Sequence, residues 1–204
     1  MTVKRQPLSF SAVAPTSTNI LYVPLGGTGE IGMNLNLYGH AGQWLMADCG
    51  MMMDRDGSGD ELILPDPSFI EAHRSDLAGI VLTHAHMDHI GALAWLWPSL
   101  GCPLYATRYT AAVIMRELSQ RMAPAALEGL DLQVVELGGR RQIGPLDVEF
   151  VTLTHSIPEP SALVIRTSAG TVFHTGDWKL DATPVVGPNY DQSQLERLGR
   201  EGID

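Results

Sequence analysis

The sequence predicts a mixed α/β fold in which helices cover β-sheets. Its 204 residues are enough for one domain with a sizeable core. Hydrophobic residues make up 45% and charged residues 18%, and the 21 glycines and 13 prolines indicate many turns. Short apolar or alternating runs, typical of strands, occur on both sides of two helical segments. This composition and order exclude a disordered or coiled-coil chain and favour layered sheets and helices.

Strands are predicted from both kinds of run. Residues 20–23 are apolar, and residues 34–38 alternate between polar and apolar side chains. Residues 43–47 follow after two glycines, so this pair predicts a hairpin. Residues 51–67 predict a loop, because glycine, proline and acidic residues are frequent there. Residues 79–83 form a short, almost entirely apolar strand. Further strands are predicted at 104–106, 131–137, 147–152, 162–167 and 171–174.

Two helices are predicted between these strands. Residues 90–97 form a short apolar helix that Pro98 is expected to end. Residues 108–121 have helical periodicity. The apolar face predicted for this second helix consists of Ala112, Met115, Leu118 and Met122.

Three of the chain's seven histidines lie in residues 83–89, Thr-His-Ala-His-Met-Asp-His, at the end of an apolar strand. Imidazole and carboxylate are ligands of hydrolytic zinc sites, and this density favours two metal ions over one. The alternative is a solvated polar loop, which would rarely concentrate histidines in this way. His155 and Asp177 also follow predicted strands. Together, the three elements predict the centre of a two-metal hydrolase.

A glycine-rich loop at residues 27–32 matches the dinucleotide-binding pattern G-x-G-x-x-G, and Asp48 ends a later strand. A nucleotide-binding unit would need a crossover helix after this loop. Only about ten residues separate Gly32 from the next strand, and they alternate and contain two glycines. We therefore predict a tight loop that approaches the active site, and no dinucleotide binding.

The net charge of −10 argues against binding of nucleic acid through a basic face. Two divalent cations would reverse the charge locally, so the net charge bears on affinity and leaves the chemistry open. Cys49 and Cys102 form no disulfide framework, and Cys49 is predicted to be a buried thiol. A reducing cytoplasm is therefore the expected location.

The N-terminal residues 1–18 contain proline, serine and threonine and lack an apolar signal core. They predict a flexible tail and no secretion. No apolar run approaches the length needed to cross a bilayer, so no membrane partner is expected.

Taken together, these motifs resemble the metallo-β-lactamase superfamily and, more narrowly, the ribonuclease J family of its β-CASP branch. The match runs from about residue 20 to the C-terminus. The resemblance implies an αββα sandwich and hydrolysis of RNA phosphodiester bonds, in both exonuclease and endonuclease modes. The matching segments, in the order of the family, are residues 26–32, Asp48-Cys49-Gly50, the histidine cluster, His155-Ser156-Ile157-Pro158, and residues 175–181 (Thr-Gly-Asp-Trp-Lys-Leu-Asp).

The resemblance also implies a set of zinc ligands and catalytic residues. Two Zn²⁺ ions are expected, and the catalytic residues would be Asp88, His89 and Asp177. Asp88 would orient the attacking hydroxide and accept its proton. The implied ligands are His84, His86 and His155 for one zinc, Asp88 and His89 for the other, and Asp177 as the bridge.

Three more residues receive roles from the resemblance. Asp48 would hold the ligand loop by accepting a hydrogen bond from a ligating imidazole, or else would cap a turn. His174 would lie behind the ligands or in the core. Ser156 would donate to a substrate phosphate, although a turn hydroxyl is an equally good interpretation. Glu159 and Pro160 depart from the aspartate and serine usual in the family, which puts substrate contacts near this loop in doubt.

Family members continue beyond a region like this one into the β-CASP domain and then supply one more zinc-ligating histidine. We therefore expect residues 19–204 to be the N-terminal portion of a metallo-β-lactamase domain, incomplete at its C-terminus, with an under-occupied second zinc site. An exposed sheet edge would then favour self-association. RNA is the expected partner of the full-length protein. Two rival functions are a small-molecule hydrolase for a thioester, lactone or β-lactam, and a non-catalytic fragment.

Overall fold

The computed structural model of the protein describes residues 14–53 and 62–204. The helices in chain order are α1 (Ser68–Ala72), α2 (Met87–Ile90), α3 (Leu93–Leu100), α4 (Arg108–Arg121), α5 (Pro124–Leu127) and α6 (Gln192–Glu201), with a 3₁₀ turn at Arg74–Asp76. The strands are β1 (Leu21–Gly26), β2 (Leu35–His40), β3 (Gln43–Ala47), β4 (Met52–Met53), β5 (Leu62–Ile63), β6 (Leu77–Leu82), β7 (Leu104–Ala106), β8 (Leu132–Val134), β9 (Arg140–Ile143), β10 (Leu146–Thr152), β11 (Ser161–Thr167) and β12 (Gly170–His174).

The strands form two main sheets. The first has the order β1-β2-β3-β6-β7-β8. Its first three strands are antiparallel, and β3, β6, β7 and β8 run parallel to one another. The second sheet has the order β12-β11-β10-β9 and is antiparallel throughout. The two-residue strands β4 and β5 pair separately.

Alternating side chains divide the core into three apolar layers. From β6, Ile80 and Leu82 pack in the cluster that includes α3 and α4, whereas Val81 packs between the sheets with Phe150 of β10. A third cluster lies between the second sheet and α6, where Leu198 is buried. The layers are therefore helices, sheet, sheet and helix. This arrangement confirms the predicted α/β fold with an αββα sandwich.

Pro98 does not end the apolar helix, contrary to the prediction, but lies inside α3. Proline removes one helical hydrogen bond, and the cost is limited because only two helical residues follow it. Burial of Trp97 and Leu100 and the hydrogen bond from Trp97 Nε1 to the Cys102 carbonyl (2.8 Å) hold this last turn in place. The helix ends at Gly101, which has a left-handed φ of 62°.

The predicted apolar face of α4 is correct for two of its four residues. Leu118 is buried and Met122 packs against the core, whereas Ala112 and Met115 are exposed. Ala111 and Ile114, one residue earlier in each case, are buried in their place. Methionine and alanine are compatible with either face, so the choice was made by packing against β7 and β8.

Several elements were not expected. The short helices α1, α2 and α5 were not predicted, and the two-residue strands β4 and β5 lie within the predicted loop of residues 51–67, of which residues 54–61 lie outside the described residues. Two longer elements, β9 and α6, were also missed. Strand β9 is polar and largely exposed, and α6 has only two large apolar residues, so neither has a clear apolar period. Residues 1–13 of the predicted tail lie outside the described residues. Pro15 and Thr16, however, accept hydrogen bonds from Gly42 and Ala41 in the β2–β3 turn (2.8 and 2.9 Å). In the described part of the chain, none of the helices combines the length and apolar character required to cross a membrane.

Glu149 joins α6 to the second sheet, and its charge generates a prediction about pH. Its carboxylate accepts hydrogen bonds from Arg197 Nη2 at 2.6 Å and Gln194 Nε2 at 2.8 Å, and it forms an ion pair with Arg166 Nη1 at 2.7 Å. Burial alone would raise the pKa of Glu149, but these hydrogen bonds and the two arginine charges hold that pKa below its usual range. Glu149 therefore stabilises the folded state fully above the pKa of a glutamate in the unfolded chain, about 4.3. This stabilisation is lost as the pH falls through the lower pKa of Glu149 in the folded state.

We expect Glu149→Gln to lower the free energy of unfolding by about 1.5–3 kcal/mol at neutral pH, because charge-assisted hydrogen bonds are lost. Below about pH 4 the difference from wild type should shrink. Urea denaturation followed by circular dichroism at both pH values measures this. Glu196→Gln, at an exposed position of α6, is the matched control and should stay within about 0.5 kcal/mol. A pH-independent loss in Glu149→Gln would contradict the prediction.

Candidate metal centre

The histidine cluster leaves the C-terminal end of β6, which lies between β3 and β7 in the first sheet. His86 directly precedes α2, and Asp88 and His89 lie in the first turn of that helix. His84 and His89 are buried. Because a strand end is followed at once by a helix start, residues 83–89 fold into a compact group of side chains at one edge of the sheet.

Three imidazoles converge in the first donor group. Nε2 of His84 lies 3.1 Å from Nδ1 of His86, and Nε2 of His155 lies 3.2 Å from the same atom. A tetrahedral zinc site with Zn–N bonds of about 2.05 Å has nitrogens about 3.3 Å apart. Imidazole lone pairs this close repel unless a proton or cation lies between them, so the donor set fits one metal ion. Burial, together with the charge of His89, lowers the pKa of His84 to about 3, which keeps it neutral and able to bind a cation.

A second donor group lies beside the first. One donor atom each from His84, His89 and Asp177 lie within 4.8 Å of one another. Oδ1 of Asp177 is 3.5 Å from His89 Nε2, and its Oδ2 is 3.8 Å from His155 Nε2. Oδ2 of Asp88 is 3.6 Å from His89 Nε2, at the solvent-facing rim. The Asp177 carboxylate thus lies between the two groups, and the residues implied as ligands by the resemblance are brought together in space. Their roles as ligands stay predictions.

Asp48 lies fully buried behind both groups. Its Oδ2 is 2.7 Å from His89 Nδ1, and the backbone N–H of Thr83 donates to Oδ1 at 2.8 Å. Burial alone would raise the pKa of Asp48, but the charge of His89 and hydrogen bonds outweigh it and lower that pKa well below its usual range. Burial alone would lower the pKa of His89, but the Asp48 charge and hydrogen bonds to Asp177 and Asp48 raise it to about 10. The field at His89 Nε2 therefore favours positive charge, whether a proton or a metal ion.

Thr83 extends this support to the first donor group, a role that the sequence analysis missed. Its hydroxyl lies 2.9 and 3.0 Å from the Asp48 oxygens and 3.0 Å from His84 Nδ1. The hydroxyl has one proton, which goes to the carboxylate, so its lone pair accepts from His84 Nδ1–H. The Nε2 lone pair of His84 then faces the centre. A hydroxyl residue at the strand end, directly before the first histidine, was the available signal.

Asn34 was also missed, because it was taken only as part of an alternating strand. Its backbone N–H and its side-chain amide both donate to the Asp88 carbonyl (3.0 and 3.1 Å), and the amide lies 3.1 Å from His89 Nε2. Gly50 permits this approach, since a Cβ there would lie 1.6 Å from the Asp88 carbonyl oxygen. These contacts hold the start of α2 against the end of the glycine-rich loop.

The glycine-rich loop connects two antiparallel strands, β1 and β2. Gly27, Gly29 and Gly32 have positive φ angles of 82°, 80° and 98°, as a tight reversal requires. A crossover helix is absent between these two described strands. The prediction of a tight loop in place of a dinucleotide-binding unit is confirmed.

The remaining predicted residues lie around the centre. His174, at the end of β12, has Nδ1 2.9 Å from the Tyr38 hydroxyl and Nε2 3.8 Å from Asp48 Oδ2. Ser156 is exposed on the wall of a cavity that His155 also lines. Its role as a phosphate donor stays a prediction.

Glu159, which stands where the resembling family usually has aspartate, contacts α4 from the loop that follows His155. It has a left-handed φ of 55°, and its Oε2 accepts from the backbone N–H of Tyr109 in the first turn of α4 at 2.8 Å. A carboxylate at a helix N-terminus is favourable. Glu159 therefore connects the loop after His155 to the first turn of α4.

The sequence of the chain is similar to a known protein family and to curated proteins. Residues 32–196 match the model of the Metallo-beta-lactamase superfamily. The ribonuclease J of Sinorhizobium meliloti (strain Sm2011 / Rm2011 / 2011) is 45% identical over 189 residues, which are 90% of this chain and 33% of that protein. The ribonuclease J of Corynebacterium glutamicum (strain ATCC 13032) is 39% identical over 194 residues, which are 94% of this chain and 26% of that protein. The chain thus spans between a quarter and a third of these relatives.

Solved structures with the same fold are more distant in sequence. A protein of unknown function from Enterococcus faecalis V583 superposes with a TM-score of 0.60 at 20% identity, over 79% of this chain and 44% of that one. The metallo-beta-lactamase fold protein YhfI from Bacillus subtilis gives a TM-score of 0.56 at 15% identity, over 79% and 63% of the two chains. With its αββα layers, its histidine cluster and its similarity to ribonucleases J, the chain belongs to the metallo-beta-lactamase superfamily.

Proposed function

We propose that this chain provides the catalytic metal centre of a ribonuclease of the J type, which hydrolyses RNA phosphodiester bonds with two bound zinc ions. The observation that supports this best is the position of Asp177, with one oxygen toward His89 and the other toward His155. Such a carboxylate can bridge two cations a few ångströms apart, as two-metal hydrolysis requires.

The chemistry of the donors supports zinc. Imidazole and carboxylate donors suit a borderline cation such as zinc. When bound, two zinc ions supply a Lewis-acidic centre that favours deprotonation of water and offsets charge on the phosphate.

Within this centre, different residues of the chain would accept a proton, hold the ions and orient the imidazoles. Asp88, at the rim beside His89, would orient the attacking water and accept its proton. His84, His86 and His155 would hold one ion and His89 with Asp88 the other. Asp48 and Thr83 would keep the imidazoles of His89 and His84 turned toward the ions, as hydrogen-bond partners of metal ligands do.

RNA is proposed as the substrate because relatives at 45% and 39% identity are named ribonuclease J. Bound cations would offset locally the net charge of −10 that opposes polyanion binding. The cytoplasm as location and self-association of the chain stay predictions.

The proposed role of Asp88 generates the test of activity. In the protein that contains this chain, we expect Asp88→Ala to lower kcat on a single-stranded RNA about 10²–10⁴-fold, because the proton acceptor is lost. Denaturing gel electrophoresis of end-labelled RNA measures cleavage, and circular dichroism monitors the fold. Asp131→Ala is the matched control, because Asp131 is an exposed aspartate directly before β8 and belongs to neither donor group. This variant should cleave RNA as the wild type does. Undiminished cleavage by Asp88→Ala would overturn the assignment.

The roles of Asp48 and Thr83 generate a test of metal binding. We expect Asp48→Asn and Thr83→Val each to weaken zinc affinity about 10–100-fold, because a ligating imidazole loses its orienting partner. Competition with a chromophoric chelator measures the affinity, and elemental analysis measures the zinc content. Thr83→Ser retains the hydroxyl and should bind zinc as the wild type does. Equal affinity in Thr83→Val and Thr83→Ser would show that the hydroxyl orients nothing.

A further inference from the structure

A cavity of about 180 Å³ opens directly beside the candidate metal centre. His155 forms part of its wall, so the cavity and the first donor group share a side chain. Ser156, Lys179 and Asp181 supply its polar lining, and residues 157–158 and 184–186 supply apolar groups. A ligand in this cavity would therefore lie next to whatever is bound at the metal centre.

Lys179 is held at a fixed place relative to His155. Its backbone N–H donates to the Thr154 carbonyl at 2.8 Å, and the Thr154 hydroxyl donates to the Lys179 carbonyl at 2.5 Å. The same hydroxyl accepts from the backbone N–H of Asp181 at 3.1 Å. Thr154 is buried and directly precedes His155. The same hydrogen-bonded pair of segments thus positions both the lysine and the candidate metal ligand.

The side chain of Lys179 places a positive charge at the cavity. It is the single lysine among the described residues, in a chain with a net charge of −10. Nζ lies 2.9 Å from Asp181 Oδ2, and Asp181 also accepts from the Thr183 backbone N–H at 3.0 Å. An ammonium group has three N–H donors, and Asp181 needs one of them. The ion pair therefore fixes the direction of the side chain and leaves donors for an anion.

The rest of the cavity lining is apolar and partly exposed to solvent. Val185 is 99% exposed and Val186 is 62% exposed, although both are large apolar residues. They lie with Ile157 and Pro158 along the same cavity. An ammonium group with unused N–H donors, combined with apolar lining, suits a nucleotide, whose phosphate is anionic and whose base has an apolar face.

We infer that this cavity is a subsite for the nucleotide next to the scissile phosphate of single-stranded RNA, with Lys179 Nζ and Ser156 Oγ as donors to its phosphate. This inference rests on the proposed function, because it takes the reacting phosphate to lie at the metal centre. It assigns Lys179 to substrate binding and not to metal binding or proton transfer.

The test compares Lys179→Met with Lys179→Arg in the protein that contains this chain, loaded with zinc. We expect Lys179→Met to raise KM for a short single-stranded RNA about tenfold with little change in kcat, because one charge-assisted phosphate contact is lost. The slope of log K against log salt should fall by about 0.7, the value for one phosphate on a single strand. Lys179→Arg keeps the charge and should restore most of the affinity, and zinc content should be the same in both variants. Ser156→Ala should raise KM in the same direction.

The control is Arg200→Met, which removes one positive charge from an exposed position of α6 outside the cavity. It should leave KM and the salt slope at wild-type values. If Lys179→Met behaves like Arg200→Met, the subsite is wrong even though the enzyme cleaves RNA. If the zinc-loaded wild type cleaves no RNA, the proposed function fails. In that case, fluorescence anisotropy of the same labelled RNA tests the subsite without cleavage. Equal affinity of wild type and Lys179→Met for this RNA would overturn the subsite.

Discussion

The hydrogen bonds of the buried Asp48 carboxylate are the interaction on which the rest of the centre depends. A buried anion is costly unless its oxygens are satisfied. Here the N–H and hydroxyl of Thr83 and the imidazole of His89 satisfy them. The same bonds orient His89 directly and His84 through Thr83, so one carboxylate serves both donor groups. Asp48 adopts a left-handed φ of 64°, a conformation that aspartate tolerates better than most residues.

Strand pairing places these groups within reach of one another. Because β3 and β6 are parallel neighbours, Asp48 and Thr83 leave the same edge of the first sheet, and the Asp48 N–H donates to the Val81 carbonyl at 2.9 Å. The second sheet reaches this edge through Ser161, whose N–H donates to the Thr83 carbonyl at 3.0 Å. His155 and Asp177 follow strands of that second sheet. The apolar layer between the sheets, with Val81 and Phe150 in one cluster, therefore sets the distance between the two groups of candidate ligands.

Sequence patterns predicted elements well where apolar periodicity was strong. The bounds of β3 and β7 agree with prediction, because their side chains are buried on both faces. Prediction was wrong where local preference and packing disagree, as for Pro98 inside α3 and for Ala112 and Met115, which are exposed on α4. It missed β9 and α6, whose polar residues form ion pairs such as Arg140–Asp147 and Arg197–Glu149 in place of an apolar period. Those pairs join residues on different elements, and Arg197 and Glu149 are 48 residues apart, so apolar periodicity does not reveal them.

The sequence by itself determined the kind of chemistry at the centre. Three histidines and an aspartate in residues 83–89 form a candidate metal-binding group, because ligand type and spacing are local properties. Only the tertiary structure decided which groups support it. Asn34, Asp48 and Thr83 meet the candidate ligands through contacts between separate strands, and Lys179 is held beside His155 by Thr154. Such contacts depend on strand order and on the packing of two sheets, which a linear pattern does not specify.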